Sequence, residues 1–130
     1  MIVDTSALVA IVLREPDGPS YLRAILAAQS GAAVSAATLV ELAMVVEGRA
    51  GPSAGVELDD LLRRLGLMVH PVTEDTARVA RDAWRRFGKG RHPAGLNFGD
   101  CFSYALAAMT SAPLLFKGDD FARTDVKAAL

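Results

Sequence analysis

The sequence is poor in the residues that build disulfides and zinc sites. Its 130 residues include one cysteine, Cys101, and two histidines, His70 and His92. A single cysteine cannot form an internal disulfide, and two histidines far apart in sequence do not make a zinc-binding cluster with it. We therefore expect a fold that relies on neither a disulfide nor a structural zinc ion.

An excess of one charge and long apolar runs are also missing. Fourteen basic and 15 acidic residues give a net charge of −1, so any contact with nucleic acid must come from a local patch. No apolar segment approaches the roughly 18 residues of a membrane helix. The start, Met1-Ile2-Val3-Asp4, lacks the features of a signal peptide. We expect a soluble, cytoplasmic protein that does not bind membranes.

What the sequence does contain is enough apolar residues for one core. The apolar fraction is 52%, and a chain of this length normally forms one domain, here expected over residues 1–130. Short apolar segments alternate with stretches of helical spacing, a pattern typical of a parallel sheet covered by helices on both faces. The predicted fold class is a three-layer α/β/α sandwich with a central, mostly parallel sheet.

The element boundaries follow from apolar spacing, caps and turn residues. The predicted strands are Ile2-Val3, Ala33–Ser35, Met68–Val72 and Pro113–Phe116. The predicted helices are Ala7–Leu13, residues 19–29, a helix ending near Arg49, Val56–Leu65, Glu74–Phe87 with Thr73 as its cap, and a last one capped by Asn97. Residues 48–55 and 88–96 are predicted loops, with a turn at Gln29-Ser30-Gly31.

Carboxylates recur where this topology brings distant parts of the chain together. Asp4 follows the first strand, Glu41 lies early in the helix after the second, and Asp100 opens the helix before the last strand. Asp119 and Asp120 follow that last strand. Because ligands bind in the crevice at the carboxyl ends of parallel strands, we expect these acids to meet there.

Clustered carboxylates repel one another, and binding a hard cation relieves that repulsion. Glu41 is the most informative of them, since it is the only ionisable residue between Ala36 and Val46 and needs a partner. Magnesium prefers oxygen ligands and suits one or two carboxylates together with a substrate phosphate. The pattern therefore indicates metal-assisted hydrolysis of a phosphodiester, with one or two ions.

Each acid also has a purely structural interpretation. Asp4 can cap the first helix, and Thr38 to Glu41 has the spacing of a capping box. Asn97 to Asp100 repeats that spacing, and Gly118-Asp119-Asp120 is turn-like. Capping does not compete with metal binding, because a helix start at the carboxyl edge of the sheet serves both.

Three further features favour structural roles. The basic loop Gly88–Pro93 either meets RNA phosphates or is simply solvated, and solvation is favoured slightly. Trp84 and Phe87 at helical spacing indicate core packing rather than a platform for base stacking. His70 is expected in the core or at a sheet edge, and neither it nor His92 makes a convincing general base.

Four ordered blocks of the chain carry a family resemblance. They are Ile2-Val3-Asp4-Thr5-Ser6-Ala7, Glu41 in its helix, Leu96-Asn97-Phe98-Gly99-Asp100-Cys101-Phe102, and Pro113-Leu114-Leu115-Phe116-Lys117-Gly118-Asp119-Asp120-Phe121. Together they resemble PIN domains, specifically ribonuclease toxins of the VapC type. The resemblance implies an endoribonuclease dependent on Mg²⁺ or Mn²⁺, usually dimeric, and neutralised by a cognate antitoxin that occupies a groove near the active site.

The resemblance also implies residue roles. Asp4 and Asp100 match the principal metal-binding acids and Glu41 the third acid. The fourth acid is Asp119 or Asp120, and Asp120, directly before Phe121, matches better. Many relatives have a threonine before the fourth acid, where this chain has Phe116-Lys117-Gly118.

Two other functions fit parts of the pattern. A catalytically weak PIN-like binding module would act through partner contacts alone. A receiver-like signalling domain would accept phosphate on an aspartate that closes the central strand, whereas the predicted third strand, Met68–Val72, ends without one.

Overall fold

The structure is a computed structural model that describes residues 1–28 and 31–130. Four short parallel strands form one sheet in the order β3-β2-β1-β4. The strands are β1 Ile2–Val3, β2 Ala33–Ser35, β3 Met68–His70 and β4 Leu114–Leu115. The helices are α1 Thr5–Val12, α2 Gly18–Ala27, α3 Ala36–Ala50, α4 Pro52–Leu65, α5 Glu74–Phe87 and α6 Phe98–Thr110, followed by a 3₁₀ helix at Phe121–Arg123.

Adjacent residues of β1, and likewise of β4, point to opposite faces of the sheet, and each face has its own core. Ile2 and Leu114 pack with α5 and α6 on one face, whereas Val3 and Leu115 pack with α1 to α4 on the other. All four side chains are at most 2% exposed. The predicted α/β/α sandwich with a parallel sheet is therefore confirmed.

Most predicted elements are confirmed, and the differences have local causes. The predicted loop at residues 48–55 is wrong, because α3 runs to Ala50 and α4 starts at Pro52. Only Gly51 breaks the helix, at a φ of 84°, and Pro52 follows at a first helical position where its missing N–H costs nothing. The predicted third strand ends at His70, two residues early. The predicted helix end at residue 29 and the first two residues of the predicted turn Gln29-Ser30-Gly31 lie outside the described residues.

Two sequence arguments need correction. The strand β3 lies at an edge of the sheet, as expected for His70, so its missing aspartate does not bear on the receiver-like alternative. The predicted capping box at Thr38 is also wrong. Ser35 caps α3 instead, and the buried Thr38 hydroxyl pairs with Ser103 at 3.3 Å.

Side-chain burial on α3 gives a test of the packing. Replacing Leu42, which is 0% exposed, with alanine should lower the free energy of unfolding by about 2–5 kcal/mol through lost apolar contacts and a cavity. Met44→Ala, at a position that is 71% exposed on the same helix, is the control and should change it by less than about 0.5 kcal/mol. Urea unfolding measures both, and equal effects would contradict this packing.

Candidate metal-binding active site

The crevice at the carboxyl edge of the sheet collects the predicted acids. Asp4, Glu41, Asp100 and Asp120 all line a cavity of about 360 Å³. Asp119 and Asp120 are both exposed, but only Asp120 is among the lining residues, which favours it as the fourth acid. The predicted meeting of β1, α3, α6 and the segment after β4 is therefore seen in the structure.

Asp4 is held by the start of α1. It is the N-cap of that helix, and its Oδ2 accepts hydrogen bonds from the Ser6 amide at 2.9 Å and the Ser6 hydroxyl at 2.6 Å. The Lys117 amide donates in turn to the Ser6 hydroxyl oxygen at 3.0 Å. Asp4 is only 2% exposed, and its Oδ1 is buried with no hydrogen-bond partner among the described residues. A buried carboxylate oxygen left without a donor is costly, and a bound cation would remove that cost.

Asp100 is held by a capping box at the start of α6. The Asp100 amide donates to Asn97 Oδ1 at 2.9 Å, and the Asn97 amide donates to Asp100 Oδ2 at 2.8 Å. The structural interpretation of this spacing is thus confirmed. The same bonds fix the carboxyl group at the crevice, where it is also a wall residue.

Glu41, in α3, is hydrogen-bonded to the first residue of α1. Its Oε2 accepts a hydrogen bond from the Thr5 hydroxyl at 2.5 Å. Asp4, Glu41 and Asp100 therefore share one arrangement, in which the protein engages one oxygen of each carboxylate. Throughout the described ranges, the hydrogen bonds leave the second oxygen of each available to a ligand.

Crowding and burial shift the protonation of these acids. Burial is the main cause that raises the pKa of Asp100 from 3.8 to about 7, opposed by the Asn97 amide and supported by the charges of Asp4, Glu41 and Asp120. Burial also raises the pKa of Glu41, opposed by the Thr5 hydrogen bond and supported by the charge of Asp4. Neighbouring carboxylates with raised pKa values are typical of a site that binds a cation, because the cation offsets their mutual repulsion.

The donor set fits a hard divalent ion. All candidate ligands are carboxylate oxygens, which Mg²⁺ and Mn²⁺ prefer. Within residues 1–28 and 31–130, no three carboxylates or other ligating side chains already converge on one ion position. Magnesium characteristically takes one or two protein carboxylates and keeps its waters, so acids spread over the walls of a crevice suit it.

Two cations also line the crevice, paired with the acid Glu15, and sequence reasoning missed this. Lys117 and Arg49 both line it, and both pair with Glu15, at 2.6 Å and 4.0 Å respectively. Lys117 also pairs with Asp17 at 2.9 Å. The hydrogen bonds to Glu15 and then Asp17 raise the pKa of Lys117, so its ammonium group stays charged. No spacing rule links residues 49 and 117, because only the folded chain brings them together.

Gly99 is a second residue whose role the sequence did not reveal. A Cβ atom built at this position would collide with the carboxylate of Glu41. Glycine in the first turn of α6 makes the helix less stable than alanine would. It leaves room for the Glu41 carboxylate to pack against the helix. The signal in the sequence was a glycine directly before the acid Asp100 in an otherwise regular helix.

Comparisons with known proteins give the family. The PIN domain model matches residues 1–127. The chain belongs to the PIN domain family. Ribonuclease VapC of Mycolicibacterium smegmatis is 51% identical over 128 residues, covering 98% of this chain and 98% of that protein. Ribonuclease VapC30 of Mycobacterium tuberculosis is 48% identical over 126 residues, covering 97% of this chain and 95% of that protein. The family excludes the receiver-like alternative.

A toxin of known structure shares the fold. VapC20 of Mycobacterium tuberculosis, a sarcin-ricin loop cleaving toxin, superposes with a TM-score of 0.79 at 19% sequence identity. The match covers 96% of this chain and 95% of that one. The sandwich with its parallel sheet is therefore the fold of a PIN domain.

Replacing Gly99 with alanine tests the contact with Glu41. The added methyl group should displace the Glu41 carboxylate and weaken Mn²⁺ binding about tenfold or more, as loss of a supporting contact commonly does. The fold should remain, since alanine is favoured over glycine in a helix by about 1 kcal/mol. Calorimetric titration with Mn²⁺ measures the affinity. Gly48→Ala, in α3 with nothing within 4 Å, is the matched control. Equal Mn²⁺ affinities of the two variants would refute the contact's role.

The shifted pKa of Asp100 predicts how pH affects the metal-free protein. Below pH 3.8 the Asp100 carboxyl group is protonated in both the folded and the unfolded protein. Between pH 3.8 and about 7 it is ionised in the unfolded protein and still protonated in the folded protein. The free energy of unfolding should therefore fall as pH rises through this window, and then level off. Asp100→Asn removes this loss, so at pH 8 the variant should be more stable than the wild type by about 1–3 kcal/mol.

Denaturant unfolding in EDTA at pH 4 and pH 8 measures this difference. Asparagine keeps an oxygen that can accept from the Asn97 amide, so the cap survives the change. The same pH dependence in the variant and the wild type would show that Asp100 is not crowded.

Proposed function

We propose that this PIN domain, a single domain over residues 1–130, is a metal-dependent endoribonuclease that hydrolyses RNA phosphodiester bonds. The observation that carries the proposal is the crevice in which Asp4, Glu41 and Asp100 each offer one oxygen that the protein leaves free. Relatives about 50% identical over nearly the whole chain are VapC ribonucleases, which supports the same activity.

Mg²⁺ or Mn²⁺ would be held by Asp4 and Asp100, with Glu41 as the third acid and Asp120, rather than Asp119, as the fourth. When bound, the ion supplies Lewis-acid polarisation of a phosphoryl oxygen and compensates the negative charge of the phosphodiester. The assignment rests on the unpartnered, buried Oδ1 of Asp4 and on a wall made of carboxylates.

The chain's own residues contribute orientation. Ser6, fixed by the Lys117 amide, turns the carboxylate of Asp4 so that Oδ2 is engaged and Oδ1 is free. The capping box does the same for Asp100, and Thr5 for Glu41. Carboxylates fixed in advance need little rearrangement during the reaction, which lowers its barrier.

Charge on the wall governs how the substrate enters. Five carboxylates, those of Asp4, Glu15, Glu41, Asp100 and Asp120, line the crevice and repel a phosphodiester, whereas Lys117 and Arg49 among them attract it. Both cations are already paired with Glu15, and Lys117 also with Asp17, so most of their positive charge is neutralised within the protein. A bound cation would therefore have to offset the acids before a phosphate can lie beside them.

We further propose that the protein is the toxin of a VapBC-type pair, with a cognate antitoxin as its partner, and that it acts as a cytoplasmic homodimer. The VapC relatives support the pairing. No helix in the described part of the chain is long and apolar enough to cross a membrane. A gene for a small DNA-binding protein directly beside this one would support the pair, and its absence would speak against the toxin role while leaving the nuclease untouched.

RNA cleavage with controlled metal content tests the activity. Protein stripped with EDTA should be inactive, and added Mg²⁺ or Mn²⁺ should restore cleavage. Asp4→Asn and Asp100→Asn should each reduce the rate by about 100-fold or more, because each removes a ligand charge. Asp59→Asn, on the exposed side of α4, makes the same chemical change away from the crevice and should retain activity.

The outcomes separate the candidate functions. Full cleavage by both folded crevice variants would disprove the mechanism. RNA binding without any metal-dependent cleavage would instead support the alternative of a catalytically weak binding module.

A further inference from the structure

A second groove adjoins the acid crevice. It has a volume of about 610 Å³ and lies between α5 and the start of α6. Asn97, the cap of α6, lines both the groove and the crevice. Asn97 is therefore a point at which the groove meets the crevice.

Exposed aromatic rings form part of the groove wall. Phe98 is 81% exposed and Trp84 is 42% exposed, although helical spacing predicted Trp84 in the core. Phe102 holds Phe98 edge-on at 5.0 Å between ring centroids. Such rings at a surface cost free energy unless a ligand covers them, and bases of single-stranded nucleic acid stack on them.

Cations without carboxylate partners surround these rings. Arg81 and Lys89 line the groove, and the Arg91 guanidinium lies 4.1 Å from the Trp84 ring centroid. Across residues 1–28 and 31–130, none of the three lies within 4.0 Å of a carboxylate.

The rest of α5 shows that this is a local property. Its other arginines, Arg78, Arg85 and Arg86, each pair with a carboxylate at 3.4 Å or less. In the described part of the chain, no acidic residue lines the groove. Among the arginines of α5, Arg81 thus differs from the others in having no carboxylate partner in the described part of the chain, and it lies beside the exposed rings.

We propose that this groove binds a single-stranded segment of RNA next to the bond that is cleaved. Bases stack on Phe98 and against the stacked pair of Arg91 and Trp84, and phosphates contact Arg81 and Lys89. The inference rests on the proposed ribonuclease function and supplies what the acid crevice lacks, a surface with net attraction for a polyanion. An acidic protein segment would match the charges alone, whereas RNA matches both the charges and the stacking surfaces.

The single tryptophan of the chain, Trp84, reports on the groove directly. A short 2′-O-methyl RNA oligomer, which resists cleavage, should quench Trp84 fluorescence saturably in the presence of EDTA. Binding is thereby measured without metal and without activity. Absence of quenching, together with absence of binding by fluorescence anisotropy of a labelled oligomer, would overturn the proposal.

Matched charge variants separate the groove from general electrostatics. Arg81→Gln with Lys89→Gln should weaken oligomer binding about tenfold or more. The slope of log affinity against log salt should become shallower by about 1.4, as expected for two lost phosphate contacts on a single strand. Arg85→Gln with Lys127→Gln makes the same charge change outside the groove and should bind nearly as the wild type does. Equal losses in the two double variants would overturn the proposal.

Phe98 separates stacking from apolar contact. Phe98→Ala should weaken binding about tenfold, and Phe98→Leu, which keeps apolar bulk without a ring face, should fail to restore it. Full restoration by leucine would contradict base stacking.

Two further outcomes keep the proposals distinct. Quenching by polyglutamate but not by the oligomer would assign the groove to an acidic protein and overturn the RNA inference. Oligomer binding that depends on the groove, in a protein that cleaves no RNA with any metal, would contradict the ribonuclease function and leave the groove assignment standing. Circular dichroism and thermal unfolding confirm that each variant is folded.

Discussion

Crowding of carboxylates at one edge of a parallel sheet is the constraint on which the site depends. Asp4, Glu41, Asp100 and Asp120 line one crevice, and burial with mutual repulsion raises the pKa of Asp100 to about 7. The protein fixes one oxygen of each of the first three and leaves the Asp4 Oδ1 buried without a partner. Such a site is destabilising for a protein alone and favourable for a protein with a hard cation.

Helix capping and ligand positioning are the same interactions here. The bonds that make Asp4 an N-cap and Asp100 part of a capping box also orient their carboxylates. The start of a helix placed at the carboxyl edge of the sheet needs an acceptor for its free amides, and a carboxylate supplies it. Lys117 and Arg49 line the same crevice in ion pairs with Glu15, and the groove of Phe98 and Trp84 extends beyond Asn97. The molecule therefore separates an acidic centre from the cationic and aromatic surfaces around it.

The sequence predicted the fold class and the meeting of the acids because both follow from the order of strands and helices. It failed where the structure depends on the backbone conformation of one residue or on a contact with a residue distant in sequence. Gly51 alone interrupts two helices in a segment rich in turn residues. Helical spacing placed Trp84 on an apolar face correctly but could not show that nothing covers it, and the contact of Gly99 with Glu41 joins helices far apart in sequence. The pairing of Glu15 with Arg49 and Lys117 has the same origin.

The position of a bound ion tests the central claim most directly. Crystals of the protein grown with Mn²⁺ can be measured at a wavelength where manganese scatters anomalously, so that each ion appears as a separate density peak. The account predicts a peak in the crevice, in contact with the Oδ1 atom of Asp4 and with the carboxylate of Asp100. Full Mn²⁺ binding in solution with every peak outside this crevice would contradict it.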